Sequence, residues 1–78
     1  MPKLRRISGQ EVTSLLIKEG FQKLRQKGSH VRLVFNQSDV SHFVTIPLHS
    51  ELDRGTLKSI IRSLERCLTS EKIKELFY

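Results

Sequence analysis

Val31, Leu33 and Phe35 alternate with His30, Arg32 and Val34 between two turn-forming stretches, Gly28-Ser29 and Asn36-Gln37-Ser38-Asp39. No other pattern in the chain limits its fold so narrowly. An apolar residue at every second position is the strand period. Turns of this composition at both ends return the neighbouring segments antiparallel. Val40 to Pro47 is then the returning strand. Pro47 has no N–H for a ladder, so that strand ends there or lies at an edge. Phe21 to Lys27 has long polar residues that would also suit a helix, but Gly20 breaks the chain before it and Gly28-Ser29 turns it afterwards. We read it as the first strand.

Helices flank this sheet. Ser8-Gly9-Gln10-Glu11 reads as a capping box, with Ile7 and Val12 placed as a hydrophobic staple. Val12, Leu15 and Leu16 form one stripe, and Gly20 supplies a left-handed stop. Leu4 to Ile7 is an extended lead-in, and Leu48 to Gly55 is a loop. Leu57, Ile60, Ile61, Leu64 and Leu68 recur at helical spacing, and Thr69-Ser70 caps a short last helix carrying Ile73, Leu76 and Phe77. The expected fold is α+β, in the order α-β-β-β-α with a short extra C-terminal helix. A three-stranded antiparallel sheet with the helices on one face is the simplest way to close it.

A chain of 78 residues forms one domain, 1–78, with a small core. That leaves little room for a buried cofactor pocket and leaves open chemistry on a surface. Net charge is +6 and it is unevenly spread. Residues 1–32 carry eight cations (Lys3, Arg5, Arg6, Lys18, Lys23, Arg25, Lys27 and Arg32) against Glu11 and Glu19, while residues 33–78 are balanced. Such a field suits a polyanion partner, although it also serves solubility. Cys67 is alone, so it makes no internal disulfide. It falls on the apolar face of the second helix and reads as a core thiol. No Cys/His spacing resembles a zinc site, so neither a metal nor a cofactor is expected. Without an apolar run long enough for a bilayer or a secretory segment, the expectation is a cytoplasmic protein with no membrane partner.

His30 stands at the mouth of the first hairpin, after the basic stretch Lys23-Leu24-Arg25-Gln26-Lys27. Imidazole is the side chain suited to moving protons near neutral pH, while a histidine beside a glycine turn also serves simply as a surface hydrogen-bonding residue. RNA supplies its own nucleophile, the 2′-hydroxyl beside the scissile phosphate. Its catalyst therefore needs only proton transfer and positive charge for the transition state. Strand alternation puts His30 and Arg32 together on the exposed face.

Around this centre, Gly28 permits a tight turn and close backbone approach. Ser29 offers a hydroxyl for phosphate or for orienting His30, or is simply a turn residue. Lys23, Arg25 and Lys27 alternate and would share one strand face as a phosphate track, or as a solvated edge. Gly55-Thr56 opens the second helix, where free N–H groups favour an anion, with Lys58 and Arg62 extending the contact; ordinary capping is the other reading. His49 is a candidate auxiliary proton-transfer group or a loop-packing residue. His42 receives no role. Aromatic residues are too few for base-stacking platforms.

Taken together, Glu19-Gly20-Phe21, Arg25-Gln26-Lys27-Gly28-Ser29-His30, Val44-Thr45-Ile46-Pro47-Leu48-His49 and Gly55-Thr56-Leu57 resemble the HicA-type toxins of toxin–antitoxin pairs in order and spacing. Asp53-Arg54 before Gly55, and extra charge from Leu68 onward, are mild departures. The resemblance covers nearly the whole chain. It implies a double-stranded-RNA-binding-like fold, a single essential histidine at His30, cleavage of messenger RNA that inhibits translation, and neutralisation by a HicB-type antitoxin; one histidine with several cations would need no metal for that cleavage. A non-catalytic RNA-binding module of the same fold is the alternative. The exposed sheet edge admits a homodimer.

Overall fold

In a computed structural model, which describes residues 3–78, the chain runs α1 (Gly9–Lys18), β1 (Gln22–Lys27), β2 (His30–Gln37), β3 (Val40–Pro47), α2 (Arg54–Leu64) and α3 (Ser70–Phe77). The strands form an antiparallel sheet in the order β1-β2-β3. This is the expected α+β architecture.

Local chemistry sets the helix ends. Ser8 Oγ accepts the Glu11 N–H and Glu11 Oε1 accepts the Ser8 N–H, both at 3.0 Å. Two donors without helical partners are thereby satisfied. At the other end of α1, Phe21 N–H donates to the Leu16 carbonyl and Gly20 N–H to that of Ile17. This is a Schellman closure, and Gly20 takes the positive φ of 112° it requires.

Cross-strand register builds the core. Val31 faces Ile46 and Leu33 faces Val44, so these side chains share one side of the sheet. They pack in a single cluster with Val12 and Leu16 of α1, Leu57, Ile60, Ile61 and Leu64 of α2, and Ile73, Leu76 and Phe77 of α3. The helices therefore cover this face, and the side bearing His30, Phe43 and Thr45 stays exposed. Leu4 to Ile7 adds no strand. Instead Arg5 N–H donates to the Phe77 carbonyl at 2.8 Å and Arg5 Nη1 to the Leu76 carbonyl at 2.9 Å. Both are carbonyls that the end of α3 leaves without helical partners.

β1 begins one residue later than expected, at Gln22, and three further boundaries differ from the sequence expectations. The second hairpin loop is Ser38-Asp39 rather than Asn36 to Asp39, because the ladder runs on to Gln37↔Val40. Two-residue turns match strand twist, which lets pairing continue to the turn itself. The loop before α2 ends at Asp53, not Gly55, because Asp53 Oδ1 accepts the Thr56 N–H at 2.7 Å and caps the helix. Cys67 and Leu68 lie beyond α2, in the turn towards α3, and pack partly buried against the core. Burial raises the Cys67 thiol pKa, which keeps it protonated and suits a packing role.

Ser38 holds a φ of 55°, a conformation that costs a non-glycine residue ~1–2 kcal/mol. Ser38→Gly should therefore raise stability by ~1 kcal/mol, a gain of several degrees in Tm. Thermal melts of the two proteins check this, and an unchanged or lower Tm contradicts it. The caps also predict acid sensitivity. The Ser8 backbone N–H holds the Glu11 pKa below its usual value, and the Thr56 backbone N–H does the same for Asp53. Groups with depressed native pKa values stabilise the fold above the ordinary carboxylate range, and that contribution disappears as the pH falls through the native pKa. Denaturant melts should show stability falling as acid enters that range, and falling less in a Glu11→Gln/Asp53→Asn double variant.

Candidate nucleic-acid interface

The uncovered sheet face gathers positive charge around one histidine. Lys27 of β1 and Pro47 of β3 flank His30, while Arg25 and Thr45 flank Arg32. Arg25, Lys27, His30, Arg32 and Thr45 line a shallow depression of about 110 Å³. Gly28 adopts a φ of 59° in the turn that sets Lys27 opposite His30. A side chain there would meet nothing within 4 Å, so the glycine serves the turn geometry and not packing. The Arg32 guanidinium lies over the Phe43 ring, 4.9 Å from its centroid. That cation–π contact holds the charge above the sheet without neutralising it.

Among the described residues, the ion pairs within 4.0 Å are those of Lys72 with Glu19 and Glu75. Arg25, Lys27 and Arg32 thus face solvent with no acidic partner. The depression can bind a phosphodiester by charge, and His30 supplies the one imidazole that lines it. No three His, Cys, Asp or Glu side chains among the described residues gather as metal ligands.

Lys23 corrects the sequence expectation. Pairing passes from Lys23↔Leu33 to Arg25↔Arg32, a β-bulge that inserts one extra residue into β1. The insertion inverts the alternation, so Lys23 sides with Leu33 towards the helices while Arg25 and Lys27 stay with His30. Lys23 Nζ donates to Gln26 Oε1 at 2.9 Å. Both residues line a separate groove with Ser8, Thr13, Ser14 and His49.

The remaining candidates divide in the same way. The Ser29 carbonyl accepts the Leu48 N–H at 2.6 Å, which continues the β2–β3 pairing past its end. His49 accepts the Gly9 N–H through its carbonyl at 3.0 Å and lines the helix-side groove, away from the His30 depression. Gly55, Thr56 and Lys58 belong to α2, on the covered side. There the Asp53 carboxylate already occupies the Thr56 N–H, so the helix start is filled by its own cap. Sequence reasoning assigned no role to Thr45 and Phe43. Their signal was alternation along β3 combined with a two-residue turn, which sets Thr45 opposite Arg32 and Phe43 opposite Val34.

Fold and surface together define a small α+β domain with an unneutralised basic face centred on a histidine. Residues 9–65 match the family model of the HicA toxin of bacterial toxin–antitoxin, and the chain belongs to this HicA toxin family. No curated protein and no solved structure matches it. No helix among the described residues is long and apolar enough to cross a membrane.

Proposed function

We propose that this chain is the toxin of a toxin–antitoxin pair and acts as a metal-independent endoribonuclease on messenger RNA. The observation that carries this reading is the coincidence of His30 with Arg25, Lys27 and Arg32 in one depression free of acidic side chains. In this reading the cations bind the phosphates flanking the scissile bond, and Arg32, beside His30 in the depression, offsets the negative charge that grows as the 2′-hydroxyl attacks phosphorus. His30 assists proton transfer, either from the attacking 2′-hydroxyl or to the departing 5′-oxygen. The products are a 2′,3′-cyclic phosphate and a 5′-hydroxyl, with the proton of the first oxygen balanced by that gained by the second. A HicB-type antitoxin ends the activity by covering this face. Both the RNA and the antitoxin act in the cytoplasm.

Salt-dependent RNA binding tests which cations take part. Each phosphate contact contributes about 0.7 to the slope of log affinity against log salt for single-stranded RNA. Arg25→Gln, Lys27→Gln and Arg32→Gln should each lower that slope by about this amount, whereas Lys23→Gln, on the opposite side, should leave it unchanged. Equal effects from all four would assign RNA to a different surface. Salt-sensitive binding without cleavage products would select the binding-module alternative.

A further inference from the structure

The two outer strands of the sheet are guarded very differently. β1 carries Lys23, Arg25 and Lys27 and is bent by the bulge. Charge and bulges are devices by which sheets prevent unwanted strand pairing. β3 has neither. Val40-Ser41-His42-Phe43-Val44-Thr45-Ile46-Pro47 contains no Lys, Arg, Asp or Glu, and its register against β2 is unbroken from Gln37↔Val40 to His30↔Pro47.

Its backbone is ready to pair. Antiparallel ladders alternate between residues that bond inward and residues that do not. Gln37 and Val40 flank the two-residue turn as a bonded pair, so Val40, His42, Val44 and Ile46 bond to β2. The Leu48 N–H bond to Ser29 keeps the same parity, and Pro47 falls where no inward N–H is called for. Ser41, Phe43 and Thr45 consequently turn their N–H and C=O groups to the outer edge. All three residues are exposed, and no backbone bond beyond the strands engages them among the described residues.

Charge identifies the occupant. Arg32 sits on the central strand, but its guanidinium leans over Phe43 on β3, which brings positive charge within about one strand spacing, ~4.8 Å, of whatever adds beside β3. The chain's net charge of +6 opposes a second copy and favours an acidic segment. We propose that the free edge of β3 receives an extended, acidic segment of a protein partner as a fourth strand. Main-chain bonds to Ser41, Phe43 and Thr45 hold it, and its open-face carboxylates meet Arg32. Such a strand lies beside Thr45, the β3 residue at the margin of the His30 depression. The proposal builds on the toxin reading by naming where and how the neutralising partner docks.

The test uses the full chain with its cognate antitoxin, the edge amides being followed by hydrogen exchange in the His30→Ala protein. Protection of the Ser41, Phe43 and Thr45 amides on complex formation is the expected result. Ser41→Pro removes an outward donor and sets a ring against the incoming strand. It should weaken the complex about tenfold or more, while RNA cleavage by the free variant persists. Antitoxin that silences cleavage but leaves the edge amides exchanging freely overturns the docking edge without touching the ribonuclease reading. Concentration-dependent protection in the free chain overturns the acidic partner in favour of self-pairing. Absence of RNA cleavage in the parent, with the edge amides still protected in the complex, would overturn the ribonuclease reading alone.

Discussion

His30→Ala is expected to lower the rate of RNA cleavage by about 10²–10⁴-fold, the usual contribution of one positioned proton-transfer group. His30 is exposed at the start of β2 and belongs to no part of the buried cluster. Its truncation should therefore shift stability by less than ~0.5 kcal/mol. Arg25, Lys27 and Arg32 remain in place in that variant, so most of the RNA affinity should survive. This separation of rate from binding and stability distinguishes a catalytic residue from a mere phosphate contact. A purely binding role would lower affinity slightly and leave no rate to lose. Single-turnover cleavage, a thermal melt and a gel shift on the same preparation check all three. A large drop in Tm would instead make His30 a structural residue.

Gly9→Ala should destabilise the fold by about 3 kcal/mol or more, at the upper end of overpacking costs and a large share of the ~5–15 kcal/mol of a typical domain. A Cβ at this position would stand 1.9 Å from the Pro47 carbonyl oxygen and 2.8 Å from its carbon. Both are backbone atoms and cannot swing aside as a side-chain tip would. Gly9 N–H also donates to the His49 carbonyl at 3.0 Å, so α1 is tied to the end of β3 at the point of contact. Helix propensity alone favours alanine over glycine, and the two arguments predict opposite signs. The steric one wins because the obstruction is main chain on both sides. Pro47 is the cross-strand neighbour of His30, so loosening this junction should also blunt activity. A denaturant melt of Gly9→Ala that matches the parent would contradict the packing argument.

Much of this was legible in the chain because its signals are local. The capping box at Ser8 and Glu11, the Gly20 stop and the alternation of Val31, Leu33 and Phe35 each declare an element within a few residues. Together they leave one economical way to bury the apolar positions. The second hairpin shows where local reading ends. A four-residue loop would pair Phe35 with Val40, whereas the two-residue turn pairs Gln37 with Val40. Faces survive a shift of two, but the partners do not, and so Thr45 could not be matched to Arg32 beforehand. Lys23 was misplaced for the opposite reason. Nothing in Gln22-Lys23-Leu24-Arg25 distinguishes a regular strand from a bulged one, and a single inserted residue reverses the faces before it. Gly9 gave no warning of its importance, since the atoms that demand glycine there belong to Pro47 and Leu48, far along the sequence.

The β-bulge also sets which cations share the open face. By turning Lys23 away, it leaves Arg25 and Lys27 as the β1 cations on the histidine face, and these fall directly opposite Arg32 and His30. The cations of this face are thereby concentrated around His30 and not spread along an edge. Under the proposed function, a compact cluster of this kind serves cleavage at one bound phosphodiester and not sliding along a backbone.

Incubation of a long single-stranded RNA with the parent protein in the presence of a chelator, with identification of the new ends, tests the central claim most directly. The account predicts fragments bearing 2′,3′-cyclic phosphate and 5′-hydroxyl ends from the parent and none from His30→Ala. Intact RNA with the parent, or equal cleavage by both proteins, would contradict it.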